Sequence, residues 1–281
     1  MGIKIIVDST ADIKKELQKK VTVVPLTVNF GDKEYIDGVT IGRREFYEKL
    51  IESDVMPTTS QATPDSFMRC FEAAVTGGDE VICITLSQKL SGTYQSATIA
   101  ASEFKNKVFV VDSESVAIGM GILVELALRL VEEGRLSAKE IYEKLLTERE
   151  NICIVAMLDT LEYLKRGGRI SKTVAFAGGL LSIKPVIGFI KGEIVILGKA
   201  RGSKHANNLL AEEIEKKGGI DFSKPLLLGY TGLSDALLIK YIEDSAHIWE
   251  GHRERLDYTV IGSVVGTHAG PGAVAAAFFK K

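Results

Sequence analysis

Short apolar runs alternate with segments of helical spacing along most of the chain. IKIIVDS is an apolar run that ends in Asp8 and Ser9 and predicts a buried strand, and ADIKKELQKK follows with helical spacing. VTVVPLTVNF predicts a second strand, with Pro25 marking a bulge or a sheet edge. Residues 42–53 (GRREFYEKLIES) have a helical pattern. PTTSQATP, residues 57–64, is expected to be a loop, because its two prolines exclude a helix interior or a central strand. A helix is expected from Asp65 to about Val75. EVICITL predicts a strand, SGTYQSATIAASEF a helix opening at Ser91, VFVVDSES another strand, and residues 119–134 and 137–150 two more helices. This alternation predicts an α/β domain with a mainly parallel sheet, whose active face lies at the carboxyl ends of the strands.

The pattern changes near Asn151. ICIVAML predicts a strand, and DTLEYLKRGGRISKTVAFAGGLL two helices interrupted at Gly167-Gly168. KPVIGFIKGEIVILGKA predicts a hairpin turning at Lys191-Gly192. A helix over 203–217, the strand PLLLGYT, a helix over 234–250, the strand YTVIGSVV, the loop GTHAGPG and a terminal apolar run complete the chain. The hairpin requires a mixed sheet in this half. Two α/β domains are therefore expected, over residues 1–150 and 151–281, with no linker-like composition at the boundary.

Hydrophobic residues make up 46% of the 281, enough for a substantial core. A net charge of −2 without blocks of like charge argues against nucleic-acid binding. Cys70, Cys83 and Cys153 are odd in number and widely spaced, which argues for reduced thiols. The start MGIKIIVDST carries no signal-peptide pattern, and no apolar run reaches the roughly 20 residues that span a bilayer. A cytoplasmic protein without stable membrane insertion is expected.

Walker A, dinucleotide, nucleophile-elbow and zinc patterns are missing, so no metal or cofactor is expected; Gly119-Met-Gly121 falls in a helical stretch, with Val124 where a third glycine would stand. Three polar loops remain: PTTSQATP, Leu90-Ser91-Gly92-Thr93, and residues 266–272 around His268. Thr59 and Ser60 offer hydroxyls, Ser91 is placed to cap a helix, Gly92 would admit a ligand close to the backbone, and His268 offers a ring nitrogen. Each also has a plainer reading, as a satisfied loop, a helix cap or a turn filler. Together they suit a small anion such as a carboxylate or phosphate. AFAGGLLSIKPVIGFI reads as core or as the wall of an apolar ligand site. Lys165, Arg166, Arg169 and Lys172 flank a glycine pair, and Arg201 and Lys204 follow the hairpin; such residues form a solvated face, hold an anion or dock a partner.

VDSTADI, MPTTSQATP, LSQKLSGTYQSA, VVDSESVAIGMG, LDTLEYLKRGGRIS and IGSVVGTHAGPGA, in this order across the whole chain, resemble the DegV family, which includes the fatty-acid-binding subunit of bacterial fatty-acid kinase. The resemblance implies one long-chain fatty acid in a tunnel between two α/β domains, presented to a separate kinase subunit that forms the acyl phosphate. It implies Thr59 and Ser91 as the carboxylate-binding hydroxyls, Ser60 and Gly92 as their support, and His268 and Arg169 beside the head group. Arg201 resembles a surface residue that docks the kinase, although Arg201-Gly202-Ser203-Lys204 is less basic than the family's docking segments. Two rival chemistries are compatible with the residues alone: an acyl hydrolase or transferase with Ser91 as nucleophile and His268 as base, and a phosphotransfer protein carrying phosphate on His268.

Overall fold

The computed structural model describes residues 2–170 and 183–281. The first half contains β1 (Ile3–Asp8), β2 (Val21–Val24), β3 (Thr27–Phe30), β4 (Lys33–Ile36), α1 (Arg43–Glu52), β5 (Thr58–Ser60), α2 (Pro64–Thr76), β6 (Glu80–Thr85), α3 (Thr93–Ala101), β7 (Val108–Asp112), α4 (Ala117–Glu133) and α5 (Ala138–Glu148). In the second half are β8 (Ile152–Met157), α6 (Glu162–Arg166), β9 (Ile183–Ile190), β10 (Glu193–Arg201), α7 (Ser203–Lys216), β11 (Leu226–Tyr230), α8 (Ala236–Asp244), β12 (Tyr258–Val260), α9 (Ser263–Ala269) and β13 (Val274–Phe279).

The protein is α/β, as the alternation predicts. One sheet, ordered β2-β1-β6-β7, is parallel throughout. The larger sheet, β10-β9-β8-β13-β11-β12, is mixed, and β11–β12 is its parallel pair. Lys191 and Gly192, both with positive φ, make the two-residue turn of the β9–β10 hairpin.

A small antiparallel sheet, β4-β3-β5, departs from expectation. VTVVPLTVNF is not one strand but two, and Pro25 lies where the chain leaves the parallel sheet for the small one. PTTSQATP is not wholly loop: Thr58–Ser60 pairs with β3 as an edge strand, between two prolines that lie outside the pairing. Residues 15–20 form a 3-10 helix rather than an α-helix. The helix expected over 234–250 is α8 followed by a separate 3-10 turn at Ala246–Trp249. The second helix expected after Gly168, together with Lys172, lies outside the described residues, and of the apolar stretch over 175–190 only β9 is described.

α4 joins the two larger sheets. Twelve of its residues, Gly119 and Gly121 among them, are buried. It touches β1 and β6 on one side and β8, β11 and β13 on the other. A helix apolar on all sides belongs inside a core. A single apolar cluster therefore runs from Val7 and Ile84 through Ile118 and Ile122 to Ala156 and Ala275. Gly121 lets the helix approach the Asp12 carbonyl, so the two glycines that echo a nucleotide motif serve packing.

Candidate functional site

A cavity opens between the two halves, with an empty volume of about 910 Å³, open mouth included. Most of its described walls are apolar. β8 contributes Ile154 and Ala156, alternate residues of one face, and Leu158 follows directly after the strand. Ile187 pairs with Ala156 from one side and Ala275 from the other, so the mixed sheet forms a continuous apolar floor. Ile118 of α4 and Val264 of α9 add further walls.

Polar groups gather at one end, near the carboxyl end of β8. Thr59, Ser60, Gln61, Ser91, Arg169 and His268 all line the cavity. β5 supplies Thr59 and Ser60. α9 supplies His268, which corrects the expected GTHAGPG loop: Ser263–Ala269 is helical, and His268 stands in its last turn before Gly270. Arg169 follows α6 and the glycine pair.

His268 Nε2 lies 2.9 Å from Thr59 Oγ1. Its Nδ1 is buried and without a hydrogen-bond partner among the described residues. Burial, with the Arg169 guanidinium a lesser cause, lowers the imidazole pKa from 6.5 to about 4. A helix C-terminus favours imidazolium, but burial dominates here. The ring is therefore neutral at pH 7 and exchanges one hydrogen bond with the threonine hydroxyl.

Ser91 does not cap its helix as expected. α3 begins at Thr93 with Gly92 at the cap position. Ser91 Oγ accepts the Thr93 N–H at 3.3 Å and lies 3.0 Å from Thr93 Oγ1. The local hydrogen bond to Thr93 and the cavity-lining role thus coexist in one side chain. Gly92 does not line the cavity, because its Cα face is covered by the Gln61 amide, which a Cβ would overlap. Gln61 Nε2 then donates to Ser96 Oγ at 3.0 Å, tying the β5 segment to α3.

Arg169 Nε donates to the Leu90 carbonyl at 3.2 Å and its Nη1 to the Gly167 carbonyl at 2.6 Å. No carboxylate pairs with it among the described residues. Burial disfavours its charge, so an anion in the cavity would relieve a desolvated cation. Lys165 and Arg166 are exposed and Arg201 is exposed at the end of β10; none of the three lines the cavity. The pairing needed for hydrolysis is not made: His268 Nε2 bonds to Thr59, and Ser91 Oγ bonds to Thr93. Among the described residues no cluster of His, Cys, Asp and Glu could hold a metal ion, and no helix is long and apolar enough to cross a membrane.

A model of the DegV family matches residues 2–281. The chain belongs to the DegV family. A DegV domain-containing protein from Caldanaerobacter subterraneus is 39% identical over 282 residues, covering 99% of each chain. A DegV-family protein from Thermus thermophilus, described as fatty-acid-binding, has a TM-score of 0.88 at 33% identity, with all of both chains covered. A stearic-acid-binding protein from Eubacterium ventriosum has a TM-score of 0.85 at 30% identity, covering 100% of this chain and 99% of that one.

Sequence reasoning missed two residues that build the site in this DegV chain. Gln61 stands in the quoted PTTSQATP segment, yet only the fold shows it over Gly92. Asp8 ends β1 and is fully buried. Its Oδ2 accepts the Leu86 N–H at 2.7 Å, and its Oδ1 accepts the Thr10 N–H at 2.9 Å and the Thr10 hydroxyl at 2.6 Å. Thr10 and Leu86 both line the cavity, so one carboxyl holds two of its rim segments in place. A charged residue ending an apolar strand was the available signal.

Proposed function

We propose that this protein binds one long-chain fatty acid, with the acyl chain in the apolar cavity and the carboxylate at its polar end. The observation that carries this reading is the one-sided distribution of polar groups: an apolar trough closed at one end by Thr59, Ser91, Arg169 and His268. Such a site matches an amphiphile with a single anionic end. The fatty acids named for the Thermus thermophilus and Eubacterium ventriosum relatives support the same ligand class. Thr59 and Ser91 donate hydroxyl hydrogen bonds to the carboxylate, Ser60 and Gly92 support them, and Arg169 supplies positive charge. Neutral His268 orients the Thr59 hydroxyl.

Burying roughly 14 methylene groups yields on the order of 11 kcal/mol. Association takes back several kcal/mol, which leaves roughly micromolar binding. Hydrogen bonds to the ionised form keep the carboxylate charged. It is then a nucleophile toward the γ-phosphate of ATP held by a separate kinase subunit, the role that the motif resemblance implies. In this reading the protein presents substrate and does not itself transfer phosphate, residues 1–150 and 151–281 are two domains that clasp the ligand, Arg201 contributes to kinase docking, and the complex is cytoplasmic.

The test is solvent extraction of the purified protein with mass spectrometry of the extract, followed by titration of Thr59→Ala and Ser91→Ala with fatty acid. One fatty acid per chain and weaker binding by about tenfold in each variant are expected for a lost charge-assisted hydrogen bond. An empty extract with no binding of added fatty acid would overturn the reading.

A further inference from the structure

The apolar cavity shares a wall with a second pocket. Ile154 of β8 and Phe189 of β9 line the cavity on one side and that pocket on the other. Strand register fixes where this wall stands. Ala156 pairs with Ile187, so Ile154 and Phe189 are the next inward-facing residues toward the start of β8. Phe189 in turn pairs with Ile194 of β10, which also lines the cavity. Ile154 lies four residues before Leu158, which directly follows β8, roughly 13 Å at about 3.3 Å per residue.

The second pocket is of a different kind. Glu114, Ser115, Arg149, Lys191, Lys217 and Lys280 line it, and its empty volume is about 1230 Å³, open solvent included. Arg149 pairs with Glu114 at 3.1 Å and donates to the Asp112 carbonyl at 2.5 Å, while its Nε and the Ser115 hydroxyl are buried without partners among the described residues. A methylene pushed past the wall would exchange an apolar surrounding for charged groups and water. It would gain little from burial and would hinder the solvation of Arg149.

We propose that Ile154 and Phe189 form the methyl-end stop of the acyl site and set the longest chain that binds with full affinity, an inference that rests on the fatty-acid reading above. Affinity then rises about fourfold with each methylene group as far as this wall and stops rising beyond it. The two residues differ in freedom. Ile154 is 5% exposed and lies against Gly119 of α4, where a Cβ would overlap its side chain. Phe189 is half-buried near the hairpin turn. Phe189 is therefore the residue that adjusts the stop without disturbing the core.

The experiment is competition among an even-chain ladder of saturated fatty acids, read by native mass spectrometry on the full chain. Phe189→Ala should open the wall and improve binding of chains longer than the wild-type optimum by about tenfold relative to that optimum. Phe189→Trp should move the optimum to shorter chains, and keeps the test decisive should the alanine variant fold poorly. Ile190→Ala, at a neighbouring residue that lines only the second pocket, should leave the profile unchanged. A wild type that binds the ladder while both Phe189 variants keep its optimum would overturn the stop and leave the fatty-acid reading intact. A wild type that binds no member of the ladder overturns both.

Discussion

Gly167 lies against the His268 ring so closely that a Cβ on the glycine would overlap Nδ1. The backbone there is fixed, since the Gly167 N–H donates to the Tyr163 carbonyl at 2.9 Å as α6 ends. On the other side of the ring, Nε2 meets Thr59. The imidazole is thus held between a backbone and a hydroxyl. Gly167→Ala should force the ring off Thr59 at a cost of about 1–3 kcal/mol, typical of overpacking. Denaturant titration should show that loss, and fatty-acid binding should weaken with it. Wild-type stability together with wild-type affinity would show that the ring is not held in this way.

Burial of His268 gives a pH dependence with a definite sign. Its pKa is about 4 in the folded protein and 6.5 when unperturbed. Between these values the unfolded chain binds the proton more strongly, so the folded state loses stability as pH falls from 6.5 toward 4. At pH 4.5 this amounts to about 2.5 kcal/mol relative to neutral pH. Asp8, raised to about 6, and Asp12, raised to about 7, act oppositely, because burial makes both favour the protonated form. Their contribution is complete below pH 4 and declines as pH rises through 6 and 7. The imidazole contribution is therefore isolated by the difference between wild type and His268→Gln. That difference should shift in favour of the variant by about 2.5 kcal/mol on going from pH 7 to pH 4.5. Parallel stability curves for the two proteins would contradict a buried, neutral His268.

The alternating apolar runs were sufficient to read the α/β class, the parallel first sheet and the Lys191-Gly192 hairpin, because those depend on local periodicity and turn chemistry. The small sheet was not legible. Thr58–Ser60 becomes a strand because β3 offers an edge to it, and β3 exists because the chain switches sheets at Pro25. Neither fact is local. The polar loops were legible as anion-friendly, and five of the six residues they and Arg169 supplied do line one cavity. Gly92 fell outside, since the amide of Gln61 fills the space that a missing side chain seemed to leave for ligand. The pairing of His268 with Thr59, 209 residues away, was beyond any spacing argument. The wall that the cavity shares with the second pocket was equally beyond it, because Ile154 and Phe189 become neighbours only through strand register.

Asp8 offers the sharpest test of how the rim is held. Its carboxyl accepts three hydrogen bonds in a fully buried setting, from Leu86 and twice from Thr10. Asp8→Ala would strand two backbone N–H groups and a hydroxyl away from water. Each buried donor without a partner costs about 1–3 kcal/mol, and partial relaxation of the two loops reduces the sum, so a loss of about 3 kcal/mol is expected. Asp8→Asn keeps one acceptor oxygen for Thr10 but turns an amide nitrogen toward the Leu86 N–H, and should fall between alanine and wild type. Hydrogen exchange at the Leu86 amide is the direct readout, and it should accelerate in both variants. Because Thr10 and Leu86 line the cavity, fatty-acid affinity should fall in the same order. An unchanged Leu86 exchange rate in Asp8→Ala would mean that the loop holds its place without the carboxyl, and that the rim is organised by its other contacts, such as the Asp112 bonds to the Gln88 and Glu114 amides at 3.3 and 3.0 Å.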